Sequence, residues 1–483
     1  MKEDELKLTL DSGFTFDYHN VVGPETVQKE EVEAFAPQIA AAAAAVQKIR
    51  TDGVAKNHLS KDGAPEAVYF PRLPYIKEGY PNSPSVIADL KKFGEDVRSH
   101  YDAAIFCGIG GSFLGGKVLY DCFESLYWPK DAAAKRPQIF FAGNNLDPEA
   151  ASETEEAIMK MAADVRAKEK RNLKVMLVPI SKSGTTLEAM SAFLYFYGTL
   201  TEEGKSIDVG VTVVSDRTLK TCPLIQLAAQ YNWPVFQVPH GVGGRFSVLS
   251  TPGLIVAAAL GMDIDKLLTG ARDMDKACLG DDVWKNPALL NATLKYLARK
   301  NHGCTIEVFM PYAMRLKALG EWYVQLLAES LGKRKDREGN TVFYGRTPVL
   351  AIGTTDMHSQ TQLHQDGIRD KVVQFLFVKN RLNKMTVHNP FPQMASLNGY
   401  EGLDLGTALN AAMEANEEAL AGDHRMNALY VLPSLDEYYL GQIFYFLMLS
   451  IAYEGELADV DAFDQPGVEV YKRIMKGKVN VNR

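Results

Sequence analysis

Cysteine is scarce in this sequence, and neither sign of charge is in large excess. The five cysteines are odd in number and far apart, and none shows CxxC spacing: Cys107, Cys122, Cys222, Cys278 and Cys304. This usage is typical of free thiols in a reducing compartment, so we expect a cytoplasmic protein without a zinc site. Lysine and arginine number 52 against 60 acidic residues, a formal net charge of −8. The balance argues against a protein that binds nucleic acid or anionic membranes by general electrostatic attraction.

Long hydrophobic runs and fixed-period repeats are also missing. The most apolar segments are residues 246–260, which Pro252 interrupts, and residues 438–453, which contain Gln442. Both are shorter than the roughly 20 residues of a membrane span, so we predict two buried helices and no membrane association. The opening residues mix charged and apolar side chains, which does not fit a secretion signal. With 483 residues, the chain is long enough for about two to four domains.

The order of the apolar runs predicts an α/β fold. After Tyr101, short apolar runs alternate with possible helices, and the predicted strands lie at 103–107, 175–180, 209–214, 305–310, 349–352 and 372–378. Such alternation is typical of parallel sheets covered by helices. We predict a helical N-terminal segment at 1–80, followed by two three-layer α/β domains at 81–285 and 286–483. The second of these includes the C-terminal helices.

A hydroxyl-rich loop separates the predicted strand 175–180 from a predicted helix at 187–197. It consists of Ser181, Lys182, Ser183, Gly184, Thr185 and Thr186. A helix start offers unpaired backbone amides and the positive end of the helix dipole, and hydroxyl side chains there complete a cage for a phosphate dianion. Helix capping explains a single hydroxyl. Four hydroxyls with a lysine favour anion binding, and the loop lies at a strand end, where α/β sheets bind ligands.

A glycine-rich loop at 108–116 follows the predicted strand 103–107. Its glycines, including Gly111, let the backbone approach a ligand closely, and Ser112 adds a hydrogen-bond donor. The dinucleotide pattern GxGxxG is incomplete, because Phe113 stands in place of the third glycine. The P-loop pattern is missing as well. We therefore expect no nucleotide cofactor.

A predicted helix at 316–331 carries a polar stripe on a mostly apolar surface. Glu321, Gln325 and Glu329 are spaced at four-residue intervals and so share one face of this helix. A solvated stripe explains such a pattern in most amphipathic helices. A carboxylate beside an apolar wall, in contrast, suits the removal of a proton from a carbon next to a carbonyl. The pattern alone leaves both interpretations open.

One histidine stands where an imidazole is placed to move protons. His358 follows the predicted strand 349–352, although a hydrogen-bonded loop histidine is at least as common. Asp356, His364 and Asp366 are nearby and raise the question of a metal. The two histidines are six residues apart, unlike the i, i+4 pair that binds zinc on a helix, so we expect no metal.

Together these segments resemble the phosphoglucose isomerase family, from the first glycine loop to the C-terminal helix. The matching stretches lie at 108–112, 181–186, 242–247, 328–333, 356–359 and 464–472. Several separated motifs in the same order are far more specific than any one of them, and this version is similar to the bacterial branch. The resemblance implies two sugar-isomerase (SIS) domains and a homodimer with its active sites at the subunit interface.

The resemblance also implies a reaction and its residues. The family interconverts D-glucose 6-phosphate and D-fructose 6-phosphate through a cis-enediol, in glycolysis and gluconeogenesis, without metal or cofactor. Glu329 is expected to move the proton between C1 and C2, His358 with Lys472 to open the sugar ring, and Arg245 to stabilise the enediolate. The implied substrate-binding residues are Gly111, Ser112, Ser181, Lys182, Ser183, Gly184, Thr185, Thr186, Gln325 and Gln465.

The sequence departs from the family pattern at a few positions. His240 stands where the family often has an acidic residue, and Asp461 and Ala462 stand where it often has asparagine and proline. Neither departure removes an expected catalytic group. The segment after His358 is less aromatic than in the animal enzymes, and we prefer His358 to His364 as the functional histidine.

Three other functions compete with this interpretation. A phosphosugar sensor built from the same domains needs the hydroxyl loop but not Glu329, Arg245 and Lys472. A nicotinamide-dependent oxidoreductase lacks its dinucleotide fingerprint here. An isomerase of mannose 6-phosphate or of an amino sugar phosphate is compatible with the motifs, because the pocket that distinguishes one hydroxyl's stereochemistry is not visible in the sequence.

Overall fold

A computed structural model of the protein describes residues 6–60, 63–124 and 136–479. Strands and helices alternate over most of this part of the chain. The strands are β1 (Lys7–Thr9), β2 (Thr15–Asp17), β3 (Val54–Leu59), β4 (Pro65–Ala67), β5 (Ala103–Cys107), β6 (Gln138–Ala142), β7 (Leu173–Pro179), β8 (Ile207–Val211), β9 (Val213–Ser215), β10 (Val235–Gln237), β11 (Ile306–Pro311), β12 (Lys333–Lys335), β13 (Thr341–Tyr344), β14 (Thr347–Leu350), β15 (Lys371–Val378) and β16 (Asn427–Leu432).

The helices complete the alternation. They are α1 (Lys29–Ala34), α2 (Ala36–Asp52), α3 (Pro84–His100), α4 (Leu114–Phe123), α5 (Pro148–Glu169), α6 (Leu187–Leu200), α7 (Pro223–Tyr231), α8 (Thr251–Leu260), α9 (Ile264–Ala277), α10 (Pro287–His302), α11 (Lys317–Leu331), α12 (Met357–Asp366), α13 (Leu405–Gly422), α14 (Glu437–Leu457) and α15 (Val468–Val479).

The first sheet has four parallel strands in the order β6-β5-β7-β8. A bridge between Ile180 and Val214 continues it into β9, which pairs in parallel with β10. All five residues of β5 are buried, as expected for a strand covered on both faces. The predicted strand 103–107 is β5, and the run predicted at 209–214 is divided between β8 and β9. The strand β6 was not predicted.

The second sheet has six strands in the order β1-β2-β16-β15-β11-β14. The strands β14, β11, β15 and β16 are parallel, whereas β2 is antiparallel to β16 and β1 is antiparallel to β2. Every residue of β15 is buried, so this strand lies at the centre of the sheet's core. Two parallel sheets flanked by helices confirm the predicted α/β fold.

The N-terminal segment differs from the helical one that we expected at 1–80. It contains α1 and α2, but also the strands β1 to β4. Phe16 of β2 pairs with Tyr430 of β16, so this segment supplies the edge of the second sheet. Strands of three residues are too short to give a recognisable period, which is why the sequence did not reveal β1, β2 and β4. The domain limits at 80 and 285 stay predictions.

Two helices form the apolar interior. All residues of α8 are buried, as are those of α14 from Leu440 to Gly455. These helices contain most of the two segments, 246–260 and 438–453, that we predicted to be buried. Among the residues described, no helix combines the length and the apolar character that a bilayer crossing requires.

Four charged side chains form a cluster inside this core: Lys295, Glu307, Arg346 and Glu454. Arg346 donates to Glu307 through Nε at 3.0 Å and to Glu454 through Nη2 at 2.7 Å, and Lys295 donates to Glu307. Hydroxyls of Tyr323 and Tyr344 donate to the two carboxylates at 2.8 and 2.6 Å. Two positive and two negative charges are thus buried together, and removing one of them leaves a buried charge without its counter-charge.

We expect Glu307→Gln to lower the free energy of unfolding by about 3–5 kcal/mol at neutral pH, because Arg346 and Lys295 lose a buried counter-charge. Burial by itself raises the pKa of Glu307, but Lys295 and Arg346 outweigh it and lower the pKa. A lowered folded pKa gives stabilisation that is present above the unfolded pKa and is lost as the pH falls through the folded value. Denaturant unfolding between neutral and acidic pH measures both effects.

The matched control is Asp282→Asn. Asp282 forms an exposed ion pair with Lys285 at 2.9 Å, so its loss is expected to change stability by less than about 1 kcal/mol. Equal stability changes for Glu307→Gln and Asp282→Asn would show that the buried cluster has no special importance.

Candidate active site

The loop between β7 and α6 holds its hydroxyls in two pairs. Ser181 Oγ lies 3.1 Å from Thr186 Oγ1, and Ser183 Oγ lies 2.9 Å from Thr185 Oγ1. Ser181 Oγ also accepts a hydrogen bond from the backbone of Gly184 at 3.1 Å, which closes the turn. The helix α6 begins directly after Thr186, whose side chain does not cap it. The structure therefore brings the predicted hydroxyls together beside the unpaired amides of a helix start.

The other two members of this loop have different surroundings. Gly184 has a φ of +64°, and a Cβ there would collide with Cys222 Sγ, so the turn requires glycine. Lys182 is exposed and lines a cavity of about 60 Å³ with His58 and Gly243. No hydrogen bond joins Lys182 to the paired hydroxyls in the described residues, so its role as a phosphate ligand stays a prediction.

The glycine loop after β5 is a point where three segments meet. A Cβ at Gly110 would come within 3.0 Å of Gln325 Nε2 on α11. A Cβ at Gly111 would collide with the carbonyl group of Gly244. Ser112 ends the same turn and is half-buried. The predicted glycine loop thus lies against both α11 and the turn that begins at Gly244.

Arg245 is a buried cation that holds these segments together. It is 2% exposed. Its guanidinium donates to Ser330 Oγ at 2.7 Å, Glu329 Oε2 at 3.4 Å, Gln465 Oε1 at 3.2 Å, Ala462 O at 2.6 Å and Asp464 O at 3.0 Å. Burial lowers the pKa of Arg245, and the charge of Glu329 is the largest influence that opposes this. The predicted residues Arg245, Glu329 and Gln465 are therefore in direct contact.

The polar stripe on α11 divides into an exposed part and a part that belongs to the site. The side chain of Glu321 is 41% exposed, whereas that of Glu329 is 26% exposed. Gln325 Nε2 donates to Glu329 Oε1 at 3.0 Å, and Gln325 Oε1 is buried without a hydrogen-bond partner among the described residues. One carboxylate oxygen thus accepts from an amide and the other from Arg245. The solvated interpretation fits Glu321 but not Glu329.

Lys333 is a site neighbour that the sequence analysis missed. It is buried, and its Nζ donates to Asp464 O and to Asp464 Oδ1, each at 2.6 Å. Burial lowers the pKa of Lys333, and the charge of Asp464 opposes this. Lys333 stands four residues after Glu329 and so continues the spacing of the α11 stripe beyond the helix end. That spacing was the available signal.

The C-terminal helix α15 carries two residues to consider beside the site, Tyr471 and Lys472. Burial raises the pKa of Tyr471, and the next causes are the charges of Glu188 and Glu329. Tyr471 was not predicted. Lys472 Nζ lies 3.6 Å from Glu469 on the same helix and its side chain is 43% exposed. Gln465 stands just before this helix, in contact with Arg245.

His358 is the second residue of α12 and is exposed. Within the described part of the chain no hydrogen bond links it to Glu329 or Lys472. Asp356 accepts from Ile352 N at 2.7 Å and from Ser359 Oγ at 2.8 Å, so it serves the turn that presents His358.

His364 is placed differently from His358. It is 2% exposed, and burial followed by the charge of Lys371 lowers its pKa. The imidazole of His364 is thus buried whereas that of His358 is exposed, and the choice of His358 as the functional histidine stays a prediction. The question of a metal site concerns histidine, cysteine, aspartate and glutamate. In residues 6–60, 63–124 and 136–479, no three of these side chains lie close enough together to hold a metal ion.

The assembled groups are suited to proton transfer on an anchored anion. The hydroxyl loop offers donors for a phosphate. Glu329 presents a carboxylate whose two oxygens accept from Gln325 and from Arg245. A buried guanidinium beside this carboxylate is well placed to stabilise negative charge that develops on a substrate oxygen.

Comparison with known proteins points to the same chemistry. A family described as Phosphoglucose isomerase matches residues 77–481. A glucose-6-phosphate isomerase of Carboxydothermus hydrogenoformans is 37% identical over 84% of this chain and 83% of its own length. One of Rubrobacter xylanophilus is 32% identical over 95% of this chain and 96% of its own. The crystal structure of a glucose-6-phosphate isomerase from Chlamydia trachomatis has a TM-score of 0.80 at 22% identity, covering 99% of this chain and 90% of that one, and supports the fold.

We expect Gly111→Ala to lower the free energy of unfolding by about 1–3 kcal/mol, because its Cβ would push the glycine loop away from Gly244. Denaturant unfolding measures the change. Gly399→Ala is the matched control: the added methyl has nothing within 4 Å, and the expected effect is within about 0.5 kcal/mol. Wild-type stability of Gly111→Ala would show that the two loops are not in close contact.

Proposed function

The chain belongs to the phosphoglucose isomerase family, and from this premise we propose that it interconverts D-glucose 6-phosphate and D-fructose 6-phosphate through a cis-enediol intermediate. The reaction moves one hydrogen between C2 and C1 of the open-chain sugar and needs no external oxidant or reductant. It places the enzyme in glycolysis and gluconeogenesis.

The observation that carries the proposal is the setting of Glu329. Its two oxygens accept from Gln325 at 3.0 Å and from Arg245 at 3.4 Å, so the carboxylate is held in one orientation. In the proposed reaction Glu329 takes the proton from C2 of the aldose and returns it to C1. A fixed carboxylate suits this step, because general base catalysis requires the base within hydrogen-bond reach of the proton.

Arg245 and the hydroxyl loop interact with the negative charges of the substrate, on the enediolate and on the phosphate. As Glu329 removes the proton, negative charge develops on the enediolate oxygens, and the neighbouring guanidinium stabilises it without moving. The phosphate is bound by the side chains of Ser181, Ser183, Thr185 and Thr186 and by the first amides of α6. Gly111, Ser112 and Gln325 complete the proposed binding site, and the unpaired Gln325 Oε1 is free to accept from a sugar hydroxyl.

Ring opening is assigned to His358 and Lys472. It requires a proton to leave the C1 hydroxyl and another to reach the ring oxygen, so one group accepts and one donates. Lys472 lies on α15, where its Nζ is 3.6 Å from Glu469, and His358 is exposed. The exposure of His358 supports an active site completed by the His358 of a second subunit.

We therefore propose a homodimer with shared active sites. A stretch of exposed apolar side chains between β15 and α13 supports this proposal: Leu382, Met385, Phe391, Met394, Tyr400 and Leu405. Apolar side chains exposed together over such a length are typical of a surface that another chain covers. Two-fold symmetry makes such a contact reciprocal, so each subunit lends its histidine to the other.

Localisation in the cytoplasm is also proposed. All five cysteines are buried. Burial raises the pKa of the Cys107 thiol to about 12, and burial is also the main reason that the pKa of Cys278 is about 12. Such thiols stay protonated and react slowly, which fits a reducing compartment.

The proposed substrate is tested by supplying glucose 6-phosphate, mannose 6-phosphate and glucosamine 6-phosphate to the purified protein with EDTA present. Turnover of glucose 6-phosphate alone, unaffected by the chelator, is the expected result. Preference for another phosphosugar would change the substrate but leave the proton-transfer assignment intact.

Glu329→Gln tests the proposed base. We expect kcat to fall by about 10² to 10⁴-fold while KM stays within a few-fold of wild type, because the amide keeps the shape but cannot take the proton. A coupled assay of fructose 6-phosphate isomerisation measures both constants. Glu321→Gln is the control on the same helix face, and its exposed side chain predicts wild-type kinetics. A Glu329→Gln enzyme with wild-type kcat would remove Glu329 from this role.

A heterodimer tests the shared site. Glu329→Gln and His358→Ala subunits, co-expressed with different affinity tags, are each inactive as homodimers. In the doubly tagged heterodimer one site combines the intact Glu329 with the intact His358, so about half of the wild-type turnover per dimer is expected. An inactive heterodimer would mean that both residues act from the same subunit.

A further inference from the structure

His58, in the N-terminal half of the chain, contacts the C-terminal segment that holds Arg245. His58 is on β3, which forms an antiparallel hairpin with β4. It is 7% exposed, and its Nδ1 lies 2.9 Å from Asp461 Oδ2. Burial by itself raises the pKa of Asp461, but the hydrogen bond from His58 is the first of several effects that outweigh it and lower the pKa. An ionised carboxylate only accepts, so Nδ1 of His58 carries the hydrogen of this bond.

Asp461 begins a loop, residues 461–465, whose backbone holds Arg245. The other carboxylate oxygen of Asp461 accepts from Phe463 N at 2.9 Å, which fixes the first turn of the 461–465 loop. The carbonyl groups on either side of Phe463, those of Ala462 and Asp464, accept from Arg245 Nη2 at 2.6 and 3.0 Å. Gln465, whose Oε1 also accepts from Arg245, belongs to the same loop. Three of the five acceptors of Arg245 therefore lie in the 461–465 loop.

Aromatic packing connects the same loop to His58 a second time. The ring of Phe463 lies edge-on to the His58 imidazole with centroids 5.8 Å apart. It also contacts Phe70 at 6.0 Å and Phe246 at 5.6 Å. Phe246 follows Arg245 directly, so His58, Phe463 and the Arg245 turn form one packed unit. Movement of His58 is therefore transmitted to the guanidinium through both a hydrogen bond and ring contacts.

We propose that His58 is a positioning residue for the reaction, acting through Asp461 and the 461–465 loop to hold Arg245 in place beside Glu329. The inference rests on the function proposed above. Among the described residues, no hydrogen bond joins His58 to Arg245 or Glu329, so its proposed effect on them is indirect. It lines a cavity of about 60 Å³ together with Lys182, and Glu66 Oε2 lies 4.0 Å from its Nε2.

The test compares His58→Leu, which keeps bulk but removes the donor, with His58→Asn, whose amide can replace Nδ1–H. We expect His58→Leu to lower kcat by roughly ten- to a hundredfold, because a small displacement of Arg245 weakens enediolate stabilisation, while KM changes by less than about threefold. His58→Asn should recover most of the lost kcat. A merely structural role would lower the unfolding temperature without this division between kcat and KM.

Lys56→Ala is the matched control. Lys56 is on the same strand and pairs with Asp459 at 2.9 Å, so its loss removes a contact between the same two segments without touching the 461–465 loop. Wild-type kcat is expected for it. If His58→Leu does not fold, Asp461→Ala removes the acceptor instead and is expected to give the same loss of kcat. If both single variants fold, the His58→Leu/Asp461→Ala double variant should be no slower than either of them.

The outcomes separate this inference from the proposed function. If the wild-type enzyme does not isomerise glucose 6-phosphate, the proposed function is wrong. If the wild type is active and both His58→Leu and Asp461→Ala retain its kcat, or if Lys56→Ala loses as much, the positioning role of His58 is wrong.

Discussion

The buried guanidinium of Arg245 is the constraint on which the site depends. A charged group with 2% exposure is stable only if its donors are satisfied, and its acceptors come from α11 and from the 461–465 loop. These segments are far apart in the sequence, so the need to satisfy one cation brings Glu329 and Gln465 to the same place. A substitution that alters the contacts of Arg245 therefore affects both the stability of the core and the geometry of the site.

The two sheets divide the chemistry between them. The first sheet ends in the hydroxyl loop and the glycine loop, which are the proposed anion-binding groups at strand ends. Residues from α11 and from the C-terminal segment provide the carboxylate of Glu329 and the amides of Gln325 and Gln465. Gly110 and Gly111 permit this meeting, because any side chain at those positions would meet Gln325 or Gly244. Small residues at the contact thus matter as much as the charged groups that they bring together.

Much of the fold could be predicted from the sequence. Runs such as 103–107 and 372–378 are largely apolar, and their bounds agree closely with those of β5 and β15. The sequence revealed the hydroxyl loop because four hydroxyls within six residues form a local pattern. It did not reveal β6 or β16, whose runs lack clear boundaries, nor the edge strands β1 and β2. The contacts of Lys333 and His58 were also missed. The spacing of the α11 stripe pointed to Lys333, but its partner Asp464 is distant in the chain, and the contact of His58 with Asp461 leaves no periodic signal.

The distance in sequence between contacting residues also explains why the roles of Glu321, Glu329 and Asp461 could not be read from the motifs alone. Glu321 and Glu329 have identical spacing on α11, and only the fold shows that one is exposed and the other meets Arg245. The departure from the family pattern at Asp461 looked neutral in the sequence, yet the folded chain gives that carboxylate a partner in His58.

The pairing of Phe16 with Tyr430 has a consequence for how the protein is made. During translation, β2 leaves the ribosome long before β16 exists. At the usual rate of about 5–20 residues per second, the N-terminal hairpin waits on the order of tens of seconds with an unpaired strand edge. Nascent chains of this protein are accordingly expected to need shielding, by a chaperone or by provisional burial of β1 and β2, until synthesis is nearly finished.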